Sequence, residues 1–352
     1  MQTIHIAIDG GDVSPQDPVH SGISRIVRSF ITTLPHDAMI HVDYYFFSSQ
    51  KVPLPNTHIV SYHQLPSRGF FSFFLPLSLH RRKTDIFLGF SQAIPRMPNK
   101  TKAISFIYDL SFMDFPHHYA HAAALTVQAK HAITHAHSII TCSEYVRAQI
   151  IQKFPSLPTH RIAVIPPGID HIHPVPKPIS LGFPYFISVG VVKPMKNIMR
   201  MIQLFSRWKT QTSLPHQLIL IGSQEHQYMQ FIESDPLYKS IKSSVIWKES
   251  VSDEELTSYY QQSSGFLLTS YAEGYCFPLF EALHIGIPAI AISIPLLSEY
   301  TQQYPRLTIA HNDNEFLAAL TRFAVPSVPQ PIPILRTWKI FTQGIVSKIK
   351  EA

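Results

Sequence analysis

Glu273 and Glu281 stand eight positions apart within the segment Ser270-Tyr-Ala-Glu-Gly-Tyr-Cys-Phe-Pro-Leu-Phe-Glu-Ala-Leu283. An ionised carboxylate accepts hydrogen bonds on two oxygens, which suits a vicinal diol such as that of a ribose or a hexose. The segment follows a predicted strand over 265–269 and opens a predicted helix over 278–285 with Pro278 in its first turn. The amides of Gly274, Tyr275, Cys276 and Phe277 therefore fall at a helix amino end, where no intrahelical acceptor reaches them and an anion is favoured. Such a segment can hold phosphate with peptide dipoles and sugar hydroxyls with carboxylates. A plainer reading stays open, in which Glu281 complements the helix dipole and Glu273 is a solvated loop charge.

A second group of chemically useful residues lies in Val189-Gly-Val-Val-Lys193-Pro-Met-Lys196-Asn197, where two lysines and an amide crowd one strand-to-helix turn. Exposed lysines near turns are ordinary, so both are equally readable as surface residues. Asp109 follows the strand predicted over 103–108, at the carboxyl end where open parallel sheets bind ligands, although an N-cap or turn aspartate looks the same in sequence. Gly22, in Ser21-Gly-Ile-Ser-Arg25, lets a backbone approach a phosphate without an intervening side chain, or simply starts a helix. His117/His121 and His131/His135 are spaced as helical zinc ligands, but no third ligand is evident and no Asp-x-Asp metal-nucleotide motif occurs. No metal is expected.

The elements that position these residues alternate between short apolar runs and amphipathic segments. In the second half, strands are predicted over 185–189, 217–221, 244–247, 265–269 and 288–292, and helices over 197–208, 224–234, 253–262 and 278–285. The first half gives strands over 3–8, 85–89, 103–108, 138–141 and 163–165, with helices over 22–33, 119–135 and 144–154. Strand-helix alternation means parallel sheets covered on both faces, hence an α/β chain of two Rossmann-like domains. Proline recurs at 166, 167, 174, 176, 178 and 184 and marks a linker. The expected organisation is a domain over 1–172, a second over 173–333, and a terminal segment 334–352 whose amphipathic helix, over 335–348, docks back on the first to bury Trp338, Ile340 and Phe341.

At 352 residues with 45% apolar composition, each domain has ample material for a core. Two cysteines, Cys142 and Cys276, give no disulfide framework, and the amino terminus lacks the basic flank and apolar stretch of a secretory signal, so a cytoplasmic chain is expected. The longest apolar run, 285–297, is interrupted by Gly286, Pro288 and Pro295 and does not read as a membrane span. The formal charge of +6 points to an anionic partner, and no nucleic-acid-binding motif is present. Phe70-Phe-Ser-Phe-Phe74 followed by Arg81-Arg-Lys83 suits peripheral contact through 68–83 with an anionic membrane, on the inner face of the cytoplasmic membrane. The same stretch also reads as an ordinary helix with core aromatics.

The segment around Glu273 and Glu281 resembles the E-x7-E signature of family 4 glycosyltransferases, written S-x-x-E-G-F-G-x-P-x-x-E-A, with Cys276 in place of a glycine. The turn before Asn197 resembles that family's V-G-x-x-x-P-R-K-N, with Met195 in place of arginine, and Tyr108-Asp109-Leu110 its H-D-L, with tyrosine for histidine. Gly22-Ile-Ser-Arg25, Val164 to Asp170, Leu220-Ile-Gly222, Ser252 to Leu256 and Pro295 to Glu299 follow in order, so the resemblance spans nearly the whole chain. It implies a GT-B fold, two Rossmann-like domains with parallel sheets facing across a cleft, and retaining, metal-independent hexosyl transfer from a GDP- or UDP-sugar to a glycan or lipid-linked acceptor. The forms around Gly22 and Tyr108 suggest mannosyl transfer in bacterial surface polysaccharide synthesis. Under the resemblance Lys196, Glu273 and Asp109 are catalytic. Gly22, Lys193, Asn197, Gly222, Gly274, Tyr275, Cys276, Phe277 and Glu281 bind the donor. Two rival readings are a catalytically silent sugar-nucleotide-binding protein, motivated by the departures at Met195, Tyr108 and Cys276, and a glycoside hydrolase using the two glutamates as acid and base.

Overall fold

The computed structural model describes residues 3–11, 22–35, 40–47, 59–98, 100–325, 328–333 and 336–352. Ser21 and the residues just before it lie outside that set, as do Met1 and Leu335. The chain divides into two compact units, one of Met1–Gly168 with Arg336–Ala352 and one of Ile169–Leu335. The junction thus falls four residues before the boundary expected from the prolines.

The first unit carries seven strands, β1 Ile4–Gly11, β2 Ile40–Phe46, β3 Val60–Gln64, β4 Ile86–Gly89, β5 Lys102–Ile107, β6 Ser138–Thr141 and β7 Ile162–Val164. They pair in the order β3-β2-β1-β4-β5-β6-β7, every pairing parallel. Its helices are α1 Gly22–Thr33, α2 Leu75–Arg81, α3 Ser111–Asp114, α4 Ala122–His135 and α5 Glu144–Lys153. Strands β2 and β3 escape the sequence reading. In β2 the acidic Asp43 interrupts the apolar pattern, yet it is buried and held by His63 of β3 at 2.6 Å and Arg82 at 3.4 Å. The five residues of β3 are mostly polar, as an edge strand tolerates.

The second unit carries β8 Tyr185–Val189, β9 Gln217–Ile221, β10 Val245–Lys248, β11 Gly265–Leu268, β12 Ala289–Ile292 and β13 Leu307–Ala310, in the order β10-β9-β8-β11-β12-β13, again all parallel. Its helices are α6 Ile198–Thr212, α7 His226–Ser234, α8 Pro236–Ile241, α9 Asp253–Gln262, α10 Phe277–Ile285 and α11 Asp313–Phe323, and α12 Trp338–Glu351 closes the chain within the first unit. Helix α9 starts on a capping box between Ser252 and Glu255, which fixes its first turn. Helix α6 buries Ile198, Met201, Ile202, Leu204, Phe205 and Trp208 against Phe186 and Leu218 of the sheet. Each such fully buried side chain contributes roughly 1.5–3 kcal/mol relative to exposure. Helix α12 starts at Trp338, three residues later than the sequence reading put it. It buries Trp338, Phe341, Ile345 and Ile349, while Ile340, expected to be buried, is exposed.

Strand order reverses direction at β1/β4 in one sheet and at β8/β11 in the other. Ligands of doubly wound sheets bind at these switch points, beyond the strands' carboxyl ends.

His216, just before β9, is buried between Phe186 (ring centroids 5.3 Å apart) and Trp208, and neither ring nitrogen has a hydrogen-bond partner among the described residues. Burial, first, and the Lys209 ammonium hold its pKa below the ordinary 6.5. The native state therefore takes up a proton less readily than the unfolded chain. Stability from this site is complete above about pH 6.5 and is lost as pH falls below it, by at most about 1.4 kcal/mol per pH unit. His216→Phe, which keeps the ring stack, is expected to flatten the decline in melting temperature between pH 7.5 and pH 5. An unchanged decline would show that other groups carry it.

Candidate active site

The site is best described from β8 outward. Gly190 and Gly222 follow β8 and β9 with φ of 140° and 144°, and a Cβ on Gly222 would come within 2.2 Å of the Gly190 carbonyl oxygen. Only glycine lets the two loops cross so closely. Gly190 also faces the Lys196 side chain, since a Cβ there would sit 3.5 Å from its Cε. The chain then makes a 3-10 turn, Pro194–Lys196, that begins after half-buried Lys193 and ends at Asn197 in the left-handed region (φ 50°), a conformation asparagine tolerates. Within this turn Met195 is buried. Its apolar side chain packs into the unit where the motif usually carries an arginine, and the charge at this turn comes from Lys193 and Lys196.

Lys196 Nζ lies 2.6 Å from Glu273 Oε1, and Ser270 Oγ donates to the same oxygen at 2.5 Å. The two segments are also tied through their backbones: Tyr271 N donates to the Met195 carbonyl, and Thr269 Oγ1 donates to the carbonyls of Lys196 and Asn197. The β8 and β11 loops therefore form one rigid assembly, and Lys196 and Glu273, 77 positions apart in sequence, meet at the switch point. A crevice lined by Ser188, Gly190, Lys196, Leu268, Thr269 and Ser270 opens beside them.

Helix α10 begins at Phe277, with Pro278 in its first turn, after Cys276 in the left-handed region at φ 67° and ψ 66°. Gly274, Tyr275 and Cys276 are buried at this helix start. The Tyr275 ring packs on Phe277 and Phe280, at 5.0 and 4.9 Å between centroids, so a ligand would meet the backbone here and not the phenol. Burial and the Glu273 carboxylate hold the Cys276 thiol well above its ordinary pKa and keep it neutral. A β-carbon in this conformation costs about 1 kcal/mol that glycine avoids. Cys276→Gly is expected to leave stability unchanged or raise it by up to about 1 kcal/mol, without loss of activity. A clear drop in melting temperature would show that the thiol's packing outweighs the strain.

Glu281 lies in the second turn of α10, buried, with Oε1 2.9 Å from His171 Nε2 and Oε2 accepting from Tyr260 Oη at 2.9 Å. It is no mere complement to the helix dipole, because both oxygens are held by side chains from other segments. His171 and Tyr260 went unnoticed in the sequence. Neither sits in a motif, whereas Ser270 and Gly190 are motif positions to which the sequence assigns no site role.

The remaining candidates belong to the first unit. Gly22 is the exposed first residue of α1. Asp109 Oδ1 accepts from Ser111 N at 2.9 Å and Ser111 Oγ at 2.5 Å, which is the turn-aspartate arrangement, and Gln92 Oε1 accepts from the amides of Tyr108 and Asp109. The Tyr108 hydroxyl is buried without a hydrogen-bond partner among the described residues, and burial together with Cys142 and Asp9 keeps the phenol protonated. Asp9, at the end of β1, accepts from the Ser91 hydroxyl.

Two weaker expectations change. His117 lies in a 3-10 turn, Pro116–His118, while α4 starts at Ala122, so His117 and His121 do not share a helix face; only His131 and His135 do, with rings 4.4 Å apart. Residues 70–74 form a π-helical turn in which Phe70 is buried against Phe47 and Phe71 and Phe73 is exposed. Arg82 is engaged by Asp43. The aromatic run is therefore divided between core and surface. Among the described residues, no helix is long and apolar enough to cross a membrane.

Residues 172–324 match the family model for glycosyl transferases group 1, so the second unit is a glycosyl transferases group 1 domain of GT-B type. The chain is similar to O-antigen chain mannosyltransferase B of Escherichia coli, 24% identical over 215 residues, 56% of this chain and 55% of the relative. It is also similar to the serotype-specific mannosyltransferase WbdA of Escherichia coli, 27% identical over 122 residues, 34% of this chain and 15% of that protein. The matches thus span about half of the first relative and a small part of the second. Among solved structures, sucrose-phosphate synthase of Thermosynechococcus elongatus superposes with a TM-score of 0.77 at 15% identity, covering 99% of this chain and 98% of that one. Anabaena HepE with UDP-glucose gives 0.74 at 16%, covering 99% and 100%, and the lipopolysaccharide glycosyltransferase WaaG gives 0.70 at 14%, covering 97% and 95%. These likenesses establish the GT-B fold.

Proposed function

We propose that this chain is a family 4 retaining glycosyltransferase that moves a hexose, mannose by preference, from a nucleotide-diphosphate sugar to a glycan or lipid-linked acceptor in surface polysaccharide synthesis. The observation that carries the reading is the clasp of Lys196, Glu273 and Ser270 at the β8/β11 switch point, beside the amino end of α10. An ammonium and a helix amino end supply positive potential where a departing diphosphate accumulates charge, so no divalent ion is required for that role. Glu273 orients the transferred sugar through its hydroxyls, and Glu281 grips the ribose. The acceptor hydroxyl attacks from the leaving-group face, the glycosidic bond to the diphosphate breaks as the new one forms, the hydroxyl's proton passes to the departing diphosphate oxygen, and the anomeric configuration is kept. The mannosyltransferase relatives support mannose as the sugar, and HepE with UDP-glucose supports a nucleotide sugar as donor. Contact of 68–83 with an anionic membrane would bring a lipid-linked acceptor within reach, with Phe73 and the adjacent basic residues as the contact.

The test is to incubate the chain with GDP-mannose, UDP-glucose or UDP-galactose and an oligosaccharide acceptor, with and without EDTA. Release of the nucleoside diphosphate is followed, and the product anomer is assigned by NMR. Acceptor-dependent release, insensitive to EDTA, with the donor's anomeric configuration retained, is expected. Donor binding without turnover on any acceptor would favour the silent binding protein, and free sugar from a glycoside without a nucleotide would favour the hydrolase.

A further inference from the structure

We propose that His171, in the segment that begins the second unit, is a positioning residue that sets Glu281 to select ribonucleotide over deoxyribonucleotide donors; this rests on the reading of Glu281 as the ribose-gripping carboxylate. His171 Nε2 lies 2.9 Å from Glu281 Oε1, while Tyr260 Oη donates to Oε2 from α9. A carboxylate on a helix has two side-chain torsions and a freely turning terminal group. Donors from two different segments, one on each oxygen, fix its plane. The side chains of His171 and Glu281 are only 11% and 5% exposed, so water competes weakly for these bonds. Each carboxylate oxygen accepts two hydrogen bonds, and a vicinal diol needs one on each.

His171 is itself held in place. The turn from Ile169 to Ile172 buries both isoleucines and closes with the Ile172 amide on the Ile169 carbonyl. Beyond it, Gln261 of α9 accepts from Val175 N at 2.7 Å and donates to the Val175 carbonyl at 3.2 Å, and the Ile179 amide donates to Ser258 Oγ. Residues 169–179, irregular in backbone, are therefore fastened along the same helix that contributes Tyr260. A segment that reads as a linker by its prolines acts as part of the donor-site framework.

The experiment measures, by calorimetry on the full chain, the affinities of UDP and GDP and of their 2′,3′-dideoxy counterparts for wild type, His171→Leu, His171→Gln and Tyr260→Phe. Wild type is expected to prefer the ribose form of whichever base it takes by about 10-fold or more, the scale of hydrogen bonds to a charged group. His171→Leu is expected to lose most of that preference by weakening the ribose form alone. It should raise the donor KM about 10-fold while kcat stays within about twofold. His171→Gln, whose amide reaches the same oxygen, should restore the preference, and Tyr260→Phe should reduce it from the other side even if the leucine variant folds poorly. A ribose preference intact in His171→Leu, or equal weakening of both nucleotide forms, would overturn the proposal while leaving the transferase reading in place. Wild type that binds no nucleoside diphosphate would overturn both.

Discussion

Lys196→Ala is expected to lower kcat/KM for sugar transfer by about 10²–10³-fold, the scale seen when one preorganised charge stabiliser is removed from a transition state. The loss should fall mainly on kcat, because the charge on the diphosphate grows as the glycosidic bond breaks and an ammonium at this position gains most at that moment. The half-buried Glu273 loses its partner at the same time, so some stability is lost as well, and circular dichroism must confirm that the variant is folded. Steady-state kinetics on the folded variant decide the matter. A change confined to KM would make Lys196 a binding residue only, and an unchanged kcat/KM would remove it from the mechanism.

Glu273→Gln is expected to act in opposite directions on two measurements. At rest the carboxylate occupies Lys196 at 2.6 Å, so an arriving diphosphate competes with it for the ammonium. Removing the charge abolishes that competition and one source of repulsion, and the nucleoside diphosphate alone should bind about 10-fold more tightly. Transfer should nevertheless fall by about 10²-fold or more, since the glutamine no longer orients the sugar as a charged acceptor. Calorimetry with UDP and GDP beside turnover with the intact donor separates the two. Parallel weakening of both would mean that Glu273 supports the fold of the site without addressing the sugar.

The residues also show where sequence suffices and where it does not. Strands 185–189 and 217–221 were read at their observed bounds because each is a short apolar run in a central position, flanked by proline or glycine. Strand Leu307–Ala310 and helix Asp313–Phe323 escape the sequence reading, although Asn312 caps that helix through Glu315 N, because the strand lies at the sheet edge, is mostly half-buried and has no continuous apolar run to mark it. Lys196 and Glu273 were legible through the spacing within their motifs, and their meeting follows from the crossover topology that puts β8 beside β11. His171 was illegible, since an irregular segment has no periodicity to say where a side chain points. The left-handed backbone at Cys276 was hidden for a different reason: a non-glycine residue there breaks the rule by which such positions are recognised.

The central claim is that Lys196, the start of α10 and Glu281 together receive a nucleoside diphosphate. A crystal structure of the full chain grown with GDP or UDP tests it most directly. The diphosphate should lie within hydrogen-bond distance of Lys196 Nζ and the amides of 274–277, with the ribose hydroxyls on the Glu281 carboxylate. A nucleotide seated away from the β8/β11 switch point, with the Lys196 to Glu273 pair untouched by it, would contradict the account.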